Sequence, residues 1–335
     1  MEALSLSTSA FNDAARCLKK YEYRWVEGLV PLPRDVRPVM RRGIWIHRCL
    51  QLADQGEAWD TELMQMAQWA LLHDVEQEQV ETLQRETHDL VSDYLAYWSG
   101  RDDPLGPWEL AGSEEHIRWN ATPKLSLTSS VDVLKRDRHG RMWIWERKTT
   151  QEIPDSDWRT VDPQTMLQYI ECRKVGIEVT GIIFDYIGTR PGASLRVKND
   201  GHLYAGDEQK ATRARHFKAT EAEMRAKGAD EEYIEFVRQR VVSDGDWFQR
   251  YPTMRPDDNA EVTLKDVAGV VRGILESDHR KHYPRSINLL DCRLFCPYGK
   301  LCMREYQLGR KSPALREEYL VAQTDDLYGA GRRDW

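Results

Sequence analysis

The stretch Ser129–Thr150, SSVDVLKRDRHGRMWIWERKTT, holds two strand-like runs on either side of a turn. Val131, Val133 and Leu134 belong to the first run and Trp143, Ile144 and Trp145 to the second, with RHGR between them, so the two runs pair as a hairpin. Residues two apart on a strand share a face. Ile144, Glu146 and Lys148 therefore lie together, and Trp143, Trp145 and Arg147 lie on the other side. Folding back at His139–Gly140 brings Asp132 toward Glu146. Two carboxylates brought together repel unless a cation sits between them, and Mg²⁺ prefers a couple of carboxylates plus water and phosphate oxygens. Lys148 adds a positive charge where it could steady an attacking hydroxide or a phosphorane. A surface hairpin with a cross-strand Glu–Lys pair, worth at most about 1 kcal/mol, gives the same local pattern. The hairpin alone leaves both readings open.

Working outward, WELAGSEEHIRWN before the hairpin has strand-like alternation, and KLSLTSSVDVLKRD extends the first run backward. Residues 163–175 have helical character, and TGIIFDYI is a buried apolar strand ended by Gly188. The centre thus reads β-β-β-α-β. On the N-terminal side the spacing predicts a helix over residues 7–27 with Ser7, Thr8 and Ser9 as caps. The prolines of LVPLPRDVRP break it, a second helix runs from Val39 to Ala53, and residues 60–99 are helical throughout. Residues 208–277 read as mostly helical and charged.

With 335 residues, 41% hydrophobic and 31% charged, the chain has room for one large domain or two modest ones. No apolar run approaches the roughly 20 residues that span a bilayer, and MEALSLSTSAFNDAARC lacks the basic and apolar regions of a signal peptide. A cytoplasmic location is expected, where clustered cysteines favour metal ligation over disulfides. A net charge of −7 weighs against coating DNA nonspecifically but leaves room for a narrow basic groove. Arg34, Arg37, Arg41 and Arg42 form one basic cluster, most simply a solvated face. No G-x4-G-K-[ST] motif occurs, so no P-loop motor is expected.

Asp132 followed by Glu146-Arg147-Lys148 resembles the P-D-(D/E)-x-K nuclease superfamily, and its RecB-like exonuclease branch in particular. That branch has a Gly two residues before the motif Asp, where this chain has Ser130. Its G-x-x-x-H motif matches Gly43 and His47, four apart on one helix face, and the resemblance implies that His47 joins Asp132 and Glu146 as a metal ligand. The family's motif Gln, which orients the attacking water or a phosphate, matches either Gln164 or Gln168, neither with a Tyr four residues on. Glu114 or Glu115 is a weaker match for an outer carboxylate. The resemblance implies a restriction-endonuclease-like α/β fold: a small mixed central sheet flanked by helices, with helical N- and C-terminal regions joined by a metal cluster.

Cys292, Cys296 and Cys302 form C-x3-C-x5-C, three thiols where a tetrahedral site or cubane takes four ligands. The resemblance to iron–sulfur RecB-like nucleases supplies Cys17 as the fourth, although the usual first gap is one residue shorter. Four thiolates suit Zn²⁺ or [4Fe–4S], and the resemblance favours the cluster. Cys49 and Cys172 read as core thiols. The expected organisation is a helical region over 1–105, a nuclease core over 106–195, a helical region over 196–285, a cysteine clasp over 286–324 and a poorly ordered tail over 325–335. The resemblance implies Mg²⁺- or Mn²⁺-dependent DNA exonuclease cleavage in recombination, repair, replication or CRISPR-type adaptation, with a phage as one source, alongside recombination or replication proteins and away from membranes. The rival is a DNA-end-binding scaffold that keeps the fold without the chemistry.

Overall fold

The computed structural model describes residues 4–321, apart from 33–34, 100, 155–158, 160, 191, 256, 287 and 295. The expected tail and Arg34 lie outside the described residues. A mixed sheet is the frame, with strands β1 (Leu4–Ser7), β3 (Glu109–Thr122), β4 (Leu125–Arg136), β5 (Met142–Thr150), β6 (Val179–Gly188) and β7 (Phe248–Met254). β2 (Leu29–Pro31) pairs separately with β8 (Tyr319–Val321), joining the two ends of the described chain. This mixed α/β arrangement, with helices on both faces of the sheet, is consistent with the restriction-endonuclease-like core.

β3 pairs antiparallel with β4 over nearly its whole length. The opposite edge of β4 is shared. β1 runs parallel to Leu125–Thr128, and β5 runs antiparallel to Val133–Arg136. Ser129–Asp132 therefore faces a gap in the sheet, and β4 and β5 fork apart there. β5 and β6 are parallel, joined by helix α6 (Pro163–Lys174). β6 is apolar but for Thr180 and Asp185, because both of its faces are covered.

One layer consists of α3 (Pro38–Gln55), α4 (Trp59–Leu72) and α5 (Gln77–Ser99), whose apolar faces share a core with Ile187, Trp247 and Phe248. α3 starts with Pro38 in its first turn and stops at Gly56, at φ 74°. The other layer contains α6 and α9 (Asp257–Arg280), packed on Ile144, Ile182, Phe184 and Tyr186. α7 (Ala214–Ala226) and α8 (Glu231–Val241) close a satellite core around Phe217, Met224 and Ile234.

Three local readings are corrected. The helix expected over 7–27 is β1 followed by α1 (Thr8–Arg16), an extended Cys17 at φ −163°, α2 (Leu18–Tyr21) and a π-helical turn. Leu4–Ser7 becomes a strand because β4 offers it an edge, and Ser7 also caps α1, its hydroxyl accepting from the Ala10 N–H at 3.0 Å. The helix expected over 60–99 divides between α4 and α5, where Asp74 takes φ 59°. The helical stretch expected over 208–277 contains β7, half-polar in sequence because β6 covers only one edge of it.

Candidate active site

The β4–β5 ladder ends at Val133 opposite Trp145. Asp132 and Glu146 each lie one residue beyond, so they stand at the fork. The gap lets both helix layers reach them. From α3, His47 Nδ1 lies 3.6 Å from Asp132 Oδ2, and both side chains remain about one-third exposed (35% and 37%). α3 comes this close because position 43 is Gly: a Cβ there would sit 3.0 Å from Thr149 Oγ1.

α6 approaches from the opposite face. Its first turn is set by Pro163 and by the Asp162 carboxylate, which accepts from the Gln164 N–H at 3.1 Å. Gln164 Nε2 donates to Glu146 Oε1 at 3.4 Å. One turn on, Gln168 Nε2 donates to Glu146 Oε2 at 3.4 Å and to the Ser130 carbonyl at 3.0 Å. Both motif-Gln candidates thus converge on one carboxylate. Tyr169 lies in the core instead, its hydroxyl accepting from Arg173 at 3.0 Å. Lys148 Nζ sits 2.6 Å from Glu146 Oε1 and 3.8 Å from Asp162 Oδ2. Asp162 was not singled out in the sequence, although a D-P step opening a helix marks it as a cap.

The two carboxylates are tuned apart. Burial pushes the Glu146 carboxyl upward; Lys148 pulls against this, and Asp132 adds to the rise. Burial acts on Asp132 in the same direction, but His47, then Arg147 and Lys148, more than reverse it and hold the group below the ordinary carboxylate range. Asp132, the His47 imidazole and the Glu146 carboxylate are the donor types that Mg²⁺ or Mn²⁺ takes.

Behind the strand, residues of the opposite parity make an ionic network. Arg147 pairs with Asp54 of α3 and lies 3.8 Å from Asp185 Oδ2 on β6. Lys135 Nζ reaches Asp54 at 2.8 Å, and Trp145 Nε1 donates to Asp185 at 2.8 Å. Tyr94 donates to the same Asp185 carboxylate. Asp54 lies two helical turns beyond His47, so the pair ties the helix carrying His47 to the strand carrying Glu146 and Lys148.

Glu115 is exposed, and the Glu114 side chain lies outside the described residues. In the basic cluster, Arg41 is buried and Arg42 pairs with Glu86 at 2.8 Å, so the cluster is not a uniformly solvated face.

Cys17 and Cys292 both meet Ser286. The Ser286 N–H donates to Cys17 Sγ at 3.4 Å, and Cys292 Sγ donates to the Ser286 carbonyl at 3.7 Å. Burial raises the Cys296 thiol, and Cys292 and Cys17 both add to the rise. Cys296 and Cys302 pack together against Tyr23, Leu29, Tyr298 and Leu301. All six cysteines are free thiols. Among the described residues, no three His, Cys, Asp or Glu side chains are arranged to hold a metal ion as they stand. Cys49 and Cys172 are fully buried elsewhere, as expected of core thiols. No helix among the described residues is long and apolar enough to cross a membrane.

The family model of the PD-(D/E)XK nuclease superfamily matches residues 5–303, a span containing His47, Asp132, Glu146, Lys148, Cys17, Cys292, Cys296 and Cys302. No curated protein matches the chain.

Proposed function

Because the chain belongs to the PD-(D/E)XK nuclease superfamily, whose members are in general DNA-cleaving hydrolases, we propose that it is a metal-dependent DNA exonuclease of the RecB-like type. The observation that carries this reading is the convergence of His47, Asp132, Glu146, Lys148, Gln164 and Gln168 at the β4–β5 fork. A surface hairpin needs no such convergence from two helix layers.

Asp132, Glu146 and His47 would hold Mg²⁺ or Mn²⁺. When bound, the ion supplies charge neutralisation at the phosphate and a more acidic water. The protein's own part follows from the contacts. Gln164 and Gln168 fix the two oxygens of Glu146, and His47 orients Asp132. Lys148, charged because Glu146 and Asp162 outweigh the cost of burial, holds a positive charge where negative charge builds on the phosphate.

Cys17, Cys292, Cys296 and Cys302 would hold a [4Fe–4S] cluster, as the resemblance to iron–sulfur RecB-like nucleases implies; Cys17 and Cys292 both meet Ser286, and Cys296 packs beside Cys302. Free thiols in this number suit a reducing cytoplasm. Work on DNA ends in recombination, repair, replication or CRISPR-type adaptation, with a phage as one source, fits such an enzyme. The test is digestion of end-labelled linear DNA and of closed circles, with Mg²⁺, Mn²⁺ or EDTA. Metal-dependent loss of linear DNA with circles spared is expected. Metal-dependent cutting of circles would make the enzyme an endonuclease, and binding of ends without cleavage in any metal would make it a scaffold.

A further inference from the structure

The row of side chains that carries Lys148 does not stop at β5. In the registers of the sheet, Lys148 stands beside Tyr186 on β6 and Tyr186 opposite Gln249 on β7; Glu146, Phe184 and Tyr251 form the next row. Residues level with one another across neighbouring strands share a face. Gln249 and Tyr251 therefore lie on the Glu146–Lys148 face, two strand spacings or roughly 10 Å away. Here, past the carboxyl ends of the parallel strands β5 and β6, a cavity of about 360 Å³ opens. In open α/β sheets that end is where ligands bind, and the volume is at the small end of ligand pockets.

The lining is chemically specific. Tyr251 lines the cavity, edge-on to Tyr186 at 6.0 Å, with the Arg159 guanidinium over its ring, 3.7 Å from the centroid. Arg159 is itself buried and held by a bond to the Pro154 carbonyl at 3.2 Å. Gln249 is oriented by its bond to the Gly245 carbonyl at 3.1 Å and by the Tyr251 hydroxyl. Gln151 and Arg190 stand exposed at the mouth. Two guanidinium groups, Arg159 and Arg190, are matched by two carboxylates, Glu152 and Asp246. A phosphate would meet those carboxylates as repulsion. A nucleobase would not: amides and guanidinium groups serve its carbonyls and ring nitrogens, carboxylates accept from its exocyclic amines, and Tyr251 with Arg159 offers a planar partner.

We propose that this cavity is a nucleobase subsite, taking one base of the substrate strand next to the phosphate that lies at Lys148. The proposal rests on the nuclease reading and adds to it a fixed position for one nucleotide. A single unstacked base fits the cavity, so the strand must be single at that point.

The test walks one abasic residue along an end-labelled single strand and reads two signals with the full-length protein. One is the KM and kcat of cleavage; the other is binding by fluorescence anisotropy in EDTA. A single position should raise KM and the anisotropy Kd by about tenfold, the loss expected when one base gives up its stacking and edge contacts, with kcat little changed. In Gln151→Ala/Arg190→Ala the intact strand should bind more weakly, and the abasic penalty at that position should shrink. A flat profile in wild-type binding, or an unchanged penalty at the same position in the variant, overturns the subsite. If no DNA is cleaved in any metal while the binding profile keeps its single sensitive position, the nuclease reading fails and the subsite stands.

Discussion

Asp132 and Glu146 each lie one residue beyond Val133 and Trp145, the last paired residues of β4 and β5. The pair thus stands where the sheet opens, with neither carboxylate used by the ladder and each held from a different helix layer.

Glu146→Ala, Asp132→Ala and Lys148→Ala should each lower cleavage by about 100-fold or more, the cost of losing one preorganised electrostatic element in a closed site. Binding of DNA ends should survive in Asp132→Ala and Glu146→Ala, because these carboxylates repel the phosphate, and should weaken modestly in Lys148→Ala, which loses one attraction. Near-normal turnover of pure Glu146→Ala would falsify the site assignment.

An imidazole among carboxylates softens the donor set and favours Mn²⁺. Activity in Mn²⁺ should at least equal that in Mg²⁺, and His47→Ala should lose activity in both. A His47→Ala enzyme indistinguishable from wild type across a metal titration would leave His47 a structural helix residue.

The Arg147–Asp54 pair is largely buried, so removing Arg147 leaves Asp54 to Lys135 alone and Asp185 to Arg250 alone. Arg147→Met should cost roughly 3–5 kcal/mol in a urea melt. Asp54→Asn should be milder and should also weaken activation by Mn²⁺, because α3 then holds His47 less firmly. In a His47→Ala background that second effect should vanish. If it persists undiminished, Asp54 serves stability alone.

Glu171 on α6 is almost fully buried, and burial pushes its carboxyl up to about 8 although the Ser129 hydroxyl pulls the other way. Between the ordinary glutamate range and about 8, the native state keeps a proton that the unfolded chain has lost, so stability falls as pH rises. Glu171→Gln should remove that dependence, gaining a few kcal/mol over wild type at pH ~8 and nothing at pH ~4, each pKa unit being worth about 1.4 kcal/mol. Parallel urea melts at the two pH values read it directly, and identical slopes in both proteins would rule it out.

The cysteine group should hold one cluster. Protein purified without oxygen should be brown, with about four irons per chain. Cys17→Ser should be pale and open to protease. Tyr23 donates to Glu305 at 2.8 Å and β2 pairs with β8, so the ends should stay partly joined without the cluster. Colourless wild-type protein with one zinc would replace the cluster by a zinc clasp. A Cys17→Ser protein with full iron would move the fourth ligand elsewhere.

The hairpin, the shared face of Glu146 and Lys148 and the apolar strand β6 were legible because each is a local pattern: alternation of period two around a turn, or an apolar run between breakers. Gly43 and His47 were legible as a spacing on one helix. The tertiary structure decided the rest. β1 and β7 are strands because neighbours offer their edges, which no window of their own sequence records. The fork exists because β1 and β5 divide one edge of β4, and only that division lets α3 and α6 meet at Asp132 and Glu146. Gln164 and Gln168 could not be separated in the sequence, and the fold shows why: one helical turn apart, they hold the two oxygens of the same carboxylate. Local residues determine which faces exist; long-range pairing determines which of them meet, since contacts between distant residues depend on the packing of the whole chain.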